Sequence, residues 1–252
     1  MARIDVQIPT TDGRSKGSLH LPEKPGRWPA VLVFPDAGGL RETFAQLGDR
    51  LAELGYVTLI PDTYYRAGDW APFDVATLFT DNAALARMGK IASELTPERV
   101  ISDAAAYADF LLARPEVRGT EIGTVGYCLG GWMSLTAAGG LGERVAAAAS
   151  FHGGRIAVAD DVTSPHLAAD RIRASVYVAG AQDDRSFTAE QAELLAAALS
   201  GAGVAHTIEF YPAHHGFAIP DNPTYDQSAA DRHWAALDHL YGSTLTSDPR
   251  SS

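Results

Sequence analysis

The sequence predicts an α/β domain with a mostly parallel central sheet, an antiparallel N-terminal hairpin and helices on both faces. Three observations carry this. The opening stretch alternates apolar and polar residues, the later apolar runs are short and continuous, and the stretches between those runs carry apolar residues at helical spacing. A strand that reads apolar at every position is buried on both faces, which is the condition of a parallel strand covered by helices.

Taken in order, Ile4, Val6 and Ile8 share a parity, the turn-forming Thr10-Thr11-Asp12-Gly13 follows, and Gly17-Ser18-Leu19-His20-Leu21 returns along the first strand. Beyond Trp28 the continuous runs predict strands over 30–34, 56–60, 122–127, 145–151, 174–179 and 206–211. Between them, helices are predicted over 43–54, 97–112, 130–138, 189–199 and 229–241. The 14 prolines and 24 glycines are spread along the chain, with no repeat, low-complexity tract or charge block to mark a linker, so one domain over residues 1–252 is expected.

Composition narrows the function. Hydrophobic residues make up 46% and charged residues 20%, the balance of a chain that folds. A formal net charge of −11 repels phosphate backbones and anionic lipid, so neither nucleic acid nor a membrane surface is expected as a partner. No apolar run approaches the roughly 18 residues of a membrane span, and the start MARIDVQIPT lacks the basic and apolar regions of a signal peptide, which predicts a cytoplasmic protein. The single cysteine excludes an intrachain disulfide and a multi-thiolate metal site. There is no His-Glu-X-X-His arrangement and no glycine-rich phosphate loop, so no metal and no nucleotide cofactor is expected; the partner is a small-molecule substrate.

In a parallel α/β sheet, ligands bind beyond the carboxyl ends of the strands. Those ends read Pro35-Asp36-Ala37-Gly38-Gly39, Pro61-Asp62-Thr63-Tyr64-Tyr65-Arg66, Gly126-Tyr127-Cys128-Leu129-Gly130-Gly131, His152-Gly153-Gly154, Gly180-Ala181-Gln182-Asp183-Asp184 and Pro212-Ala213-His214-His215-Gly216-Phe217. The third is a Gly-X-nucleophile-X-Gly segment between a buried strand and a helix, the pattern of a nucleophile elbow with cysteine in place of serine. Glycines two before and two after permit the sharp turn. A thiol there stands at a helix N-terminus, where the dipole favours thiolate and the Leu129 N–H can meet a developing oxyanion. A cysteine nucleophile needs an imidazole and an acid to orient it, in the chain order nucleophile, acid, histidine. Asp183 and His215 supply that order. Asp183-Asp184-Arg185-Ser186 precedes a helix that either acid could cap, and His214 competes with His215 for the cleft.

With those motifs in hand, Gly126-Tyr127-Cys128-Leu129-Gly130-Gly131, Gly180-Ala181-Gln182-Asp183 and His215-Gly216-Phe217 together resemble the dienelactone hydrolase family of α/β-hydrolases, over residues 6–241. The resemblance implies the α/β-hydrolase fold and a Cys-His-Asp triad of Cys128, His215 and Asp183, with Leu129 and Ala37 as backbone oxyanion donors. It implies cleavage of a lactone or small carboxylic ester through a Cys128 thioester. Two positions depart from the family's pattern. Asp36 stands where the family has a glutamate that meets the resting thiol; a carboxylate there disfavours thiolate, while the alternative role for Asp36 is to fix its own turn. Ile219 stands where the founding enzymes have an arginine for the substrate carboxylate, so an uncharged substrate is expected unless Arg41 or Arg66 takes over that role.

The expected pocket lining is Tyr64, Tyr65, Trp132, His152, Phe217 and Ile219, with His152 read as a wall or hydrogen-bonding residue. Two other readings stand beside the lactone hydrolase: a general carboxylesterase or thioesterase of the same fold, and a catalytically idle homologue that binds small molecules.

Overall fold

The computed structural model describes residues 2–246; Met1 and residues 247–252 of the single domain expected over 1–252 lie outside the described residues. The chain forms one eight-stranded sheet: β1 (Ala2–Thr10), β2 (Gly13–Leu21), β3 (Trp28–Phe34), β4 (Val57–Pro61), β5 (Val117–Tyr127), β6 (Val145–Phe151), β7 (Ser175–Ala181) and β8 (His206–Tyr211). Their order across the sheet is β1-β2-β4-β3-β5-β6-β7-β8. The hairpin is antiparallel, pairing Ala2 with Leu21 through Thr10 with Gly13, and β2 also meets β4 antiparallel. Every pairing from β4 to β8 is parallel.

The reason the central strands read as unbroken apolar runs is visible in β3. Ala30, Leu32 and Phe34 enter a core on one face of the sheet, while Val31 and Val33 enter a second core on the other. The first core is closed by α3 (Pro97–Leu112), α4 (Leu129–Leu141) and α5 (Ala189–Gly201), through residues such as Ala104, Met133 and Leu195. The second is closed by α1 (Glu42–Glu53) and α6 (Gln227–Thr244), through Phe44, Leu47, Leu237 and Tyr241. Helix α4 is buried continuously from Gly130 to Gly139, so it is apolar all round rather than striped.

One helix lies outside the sequence expectation. α2 (Asn82–Ala92) is capped by Asp81, whose side chain accepts from the N–H groups of Ala83 and Ala84, yet it buries none of its residues fully. Its stripe of Ala84, Met88, Ile91 and Ala92 packs only partly buried against the small cluster of Tyr64, Phe73 and Leu78, a weaker signal than the stripes that close the two main cores. Among the described residues, no helix is long and apolar enough to cross a membrane.

Candidate active site

The elbow is built by close packing. Cys128 has φ 54° and ψ −117°, a conformation that a non-glycine residue seldom adopts, and it stands between the end of β5 and the first turn of α4. A Cβ on Gly126 would fall 1.8 Å from the Gly130 carbonyl oxygen, and one on Gly130 would fall 2.1 Å from the carbonyl oxygen of Phe34. Neither position accepts a side chain while β5, α4 and β3 keep their places. The Cys128 N–H donates to Phe151 O at 3.1 Å, which ties the turn to β6. The thiol is half-buried.

A small pocket over the thiol is lined by Asp36, Ala37, Gly38, Val75, Phe79, Cys128, His152, His215, Gly216 and Asn222. Four strand-end loops, those after β3, β4, β6 and β8, and the elbow therefore meet at one place. His215 holds Nδ1 2.6 Å from Oδ2 of Asp184 and 3.3 Å from Ser186 Oγ, which leaves Nε2 as the nitrogen for the thiol. Asp184 is nearly buried, and its other oxygen accepts from the Ser186 N–H at 2.8 Å and Ser186 Oγ at 2.6 Å. Burial opposes a charged imidazole, but Cys128 beside it and the Asp184 carboxylate outweigh burial and raise His215 to about 10. Burial likewise pushes the Asp184 carboxyl up, and the hydrogen bond and charge of His215 reverse this, leaving it below its ordinary value.

The acid placed against His215 is thus Asp184, one residue beyond the expected Asp183. Asp183 is solvent-exposed, its nearest basic partner being the equally exposed His214 at 3.9 Å. Gln182 and Asp183 form a turn closed by the Asp184 N–H donating to Ala181 O at 3.2 Å, which leaves Asp183 at the exposed tip, and the donors of Ser186 hold the Asp184 carboxylate inward. Neither acid caps α5, because Thr188 does so, in a capping box with Gln191.

The remaining expected residues divide. Ala37 and His152 line the thiol pocket. Leu129 opens α4, where the first N–H groups of a helix have no intrahelical partner; its side chain faces a second cavity of about 500 Å³, also lined by Trp132, Met88 and Arg155. Trp132 therefore belongs to that neighbouring cavity, where its Nε1 donates to Thr163 O at 3.0 Å. Tyr64 is buried behind Ala37 and donates to its carbonyl at 3.3 Å. Phe217 packs edge-to-face on His152, ring centres 4.9 Å apart, one layer behind the pocket. Tyr65 and Ile219 do not line it. Tyr65 donates to Asp103 on α3, and Ile219 is fully buried in the core closed by α1 and α6. The turn after Gly216 folds Ile219 inward, so the position expected to face a substrate carboxylate faces the core instead.

Asp36 sits beside the thiol but is fully engaged. Arg41 donates from Nη1 to Oδ1 at 2.6 Å and from Nη2 to Oδ2 at 3.0 Å, and the Gly38 N–H donates to Oδ1 at 2.8 Å. Arg41 also grips Asp221, with contacts of 2.7 and 2.8 Å. The turn-fixing role of Asp36 is thereby present, and its charge is offset by a guanidinium. Arg66 is held in the same way by Asp103 and Asp12. Both arginines that could have replaced the missing one are committed to carboxylates. Among the described residues, no group of three or more metal-ligating side chains comes together.

The dienelactone hydrolase family model matches residues 16–244. The chain belongs to the dienelactone hydrolase family. A carboxymethylenebutenolidase of Pseudomonas sp. is 28% identical over 222 residues, covering 86% of this chain and 85% of that protein. A second, from Rhodococcus opacus, is 27% identical over 252 residues, covering 97% and 93%. Among solved structures, a dienelactone hydrolase-like promiscuous phosphotriesterase from metagenomic libraries superposes with a TM-score of 0.75 at 30% identity, covering 97% of this chain and all of that one. The architecture is the α/β-hydrolase fold, and the protein is a carboxylic ester hydrolase.

Proposed function

We propose that the protein hydrolyses uncharged lactones or small carboxylic esters through a thioester on Cys128, with His215 as proton carrier and Asp184 as its orienting acid. The observation that carries this reading is the convergence on one pocket of a strained elbow cysteine and a histidine whose Nδ1 is fixed 2.6 Å from a buried carboxylate.

In the first half-reaction Cys128 Sγ bonds to the carbonyl carbon, its proton having passed to His215 Nε2. The tetrahedral oxyanion lies toward the N–H groups of Leu129 and Ala37, and its collapse breaks the ester C–O bond as His215 returns the proton to the leaving alkoxide. In the second, His215 takes a proton from water as its oxygen attacks the thioester carbon, and the thiolate leaves and regains that proton. Asp184 holds the imidazole in the tautomer and direction both halves need. Ala37 and Leu129 keep their places because Tyr64 and the Asp36–Arg41 pair hold the loop after β3 and because the elbow glycines seat α4.

The family relatives named carboxymethylenebutenolidase support a lactone among the substrates. The sequestration of Arg41 and Arg66 supports an uncharged one. The deciding experiment is a panel of unsaturated lactones, short aryl esters and thioesters against wild type and Cys128→Ala. The reading expects hydrolysis that the variant loses by roughly a thousandfold or more. Turnover that survives the substitution overturns the thioester route, and saturable binding without turnover by either protein would favour the idle small-molecule binder.

A further inference from the structure

His152 is 1% exposed, and neither ring nitrogen has a hydrogen-bond partner among the described residues. A neutral imidazole carries one donor and one acceptor, and a buried polar group left unpaired is costly, so such a side chain in a pocket wall points to a ligand. His152 lines the thiol pocket together with Cys128 and His215. Its ring stands edge-to-face with His215 at 5.1 Å and with Phe217 at 4.9 Å, so in those directions its neighbours are aromatic rings.

The backbone holds the residue firmly in this place. Its φ is 40°, again the left-handed region, and its N–H donates to Ala179 O at 2.8 Å. A Cβ at Gly153 would fall 2.2 Å from Ser150 Oγ, so the glycine lets this turn pack directly on β6 with the serine hydroxyl in place. The preceding residue, Phe151, accepts the hydrogen bond from the nucleophile's own N–H. His152 is therefore one peptide away from the elbow and fixed to β6 and β7.

The sheet order sets its side of the substrate. Ala37 follows β3 and His152 follows β6, with β5 and its cysteine between them. A scissile carbonyl whose oxygen turns toward Ala37 and Leu129 leaves His152 free for a second substrate atom. Burial, reinforced by repulsion from His215 and His233, holds the ring neutral, so it offers a dipole and no net charge.

We infer that His152 is a specificity-determining residue that hydrogen-bonds an oxygen flanking the scissile carbonyl, so that the preferred substrates are uncharged esters or lactones bearing an alkoxy, keto or hydroxy oxygen there. This rests on the Cys128 hydrolase reading and names the substrate class of that site.

The test compares isosteric pairs that differ by an oxygen for a methylene: p-nitrophenyl methoxyacetate against p-nitrophenyl butyrate on the acyl side, and 2-methoxyethyl acetate against butyl acetate on the alcohol side. Each kcat/KM ratio is divided by the corresponding ratio for alkaline hydrolysis, which removes intrinsic reactivity. Wild type should favour the oxygen-bearing member of at least one pair by about tenfold or more. His152→Phe should erase that preference, and His152→Asn, which retains a donor and an acceptor and tolerates positive φ, should restore part of it. A wild type with no corrected preference in either pair overturns the inference, whether or not the variants fold. So does a folded His152→Phe that keeps the preference, or that loses activity equally on both members of each pair. The underlying reading fails separately, by hydrolysis that survives Cys128→Ala.

Discussion

His215 Nδ1 lies 2.6 Å from Oδ2 of Asp184, while Ser186 donates twice to the other oxygen of the same carboxylate. The acid is thus pinned from both sides. The arrangement fixes the imidazole's direction through the second of two adjacent aspartates, and it separates their consequences sharply.

Replacing Asp184 by asparagine should lower kcat on the order of 10³- to 10⁴-fold, because an amide can present its NH₂ to Nδ1 and favour the wrong tautomer. Asp183→Asn, at an exposed position, should remain within about threefold of wild type. Steady-state kinetics on one aryl ester rank the two, and the opposite ranking would return the role to Asp183.

How much of this could be read in advance depended on how many constraints each residue carried. Strand β3 was legible because both its parities are buried, Ala30 and Leu32 on one face and Val31 and Val33 on the other. The elbow was legible because two glycines are forced by backbone contacts with Gly130 and Phe34. Helix α2 was less legible because its stripe of Ala84, Met88, Ile91 and Ala92 is half alanine and only partly buried. The choice between Asp183 and Asp184 was hidden because motif spacing does not give the direction of a side chain in a loop. Ile219 was misplaced for a related reason: a position four after His215 does not reveal that the turn at Gly216 carries it into the core.

The elbow glycines give a stability prediction. Gly130→Ala puts a methyl group 2.1 Å from the Phe34 carbonyl oxygen and should cost about 3 kcal/mol or more, since backbone on both sides must shift. Gly89→Ala, in the open middle of α2, should instead stabilise by about 0.5–1 kcal/mol. Urea unfolding of the two variants tests the sign of each.

The raised pKa of His215 predicts a pH dependence of folding. A histidine titrating at about 10 in the folded protein and near its ordinary 6.5 when unfolded binds its proton more tightly in the native state. The resulting stability is complete below about pH 6.5 and is lost as pH rises through about 10. The stability difference between wild type and His215→Gln should therefore shrink when unfolding is followed from pH 6 to pH 10.5. A difference that is constant or grows across that range would contradict the raised value.

Asp36, with Arg41 on both its oxygens, should act on the loop more than on the thiol. Asp36→Asn should leave iodoacetamide alkylation of Cys128 within about threefold at neutral pH, yet lower stability by roughly 1–3 kcal/mol as the half-buried Arg41 loses a partner. Alkylation accelerated tenfold or more would show that the carboxylate restrains the thiolate despite its guanidinium.

The most direct test of the account is the covalent intermediate itself. Wild-type protein mixed with p-nitrophenyl acetate, quenched in acid during turnover and digested, should show the acetyl mass increment on the peptide containing Cys128, with no such adduct in Cys128→Ala. Turnover at the wild-type rate with no acyl group on that cysteine, or with the acyl group on another residue, would contradict it.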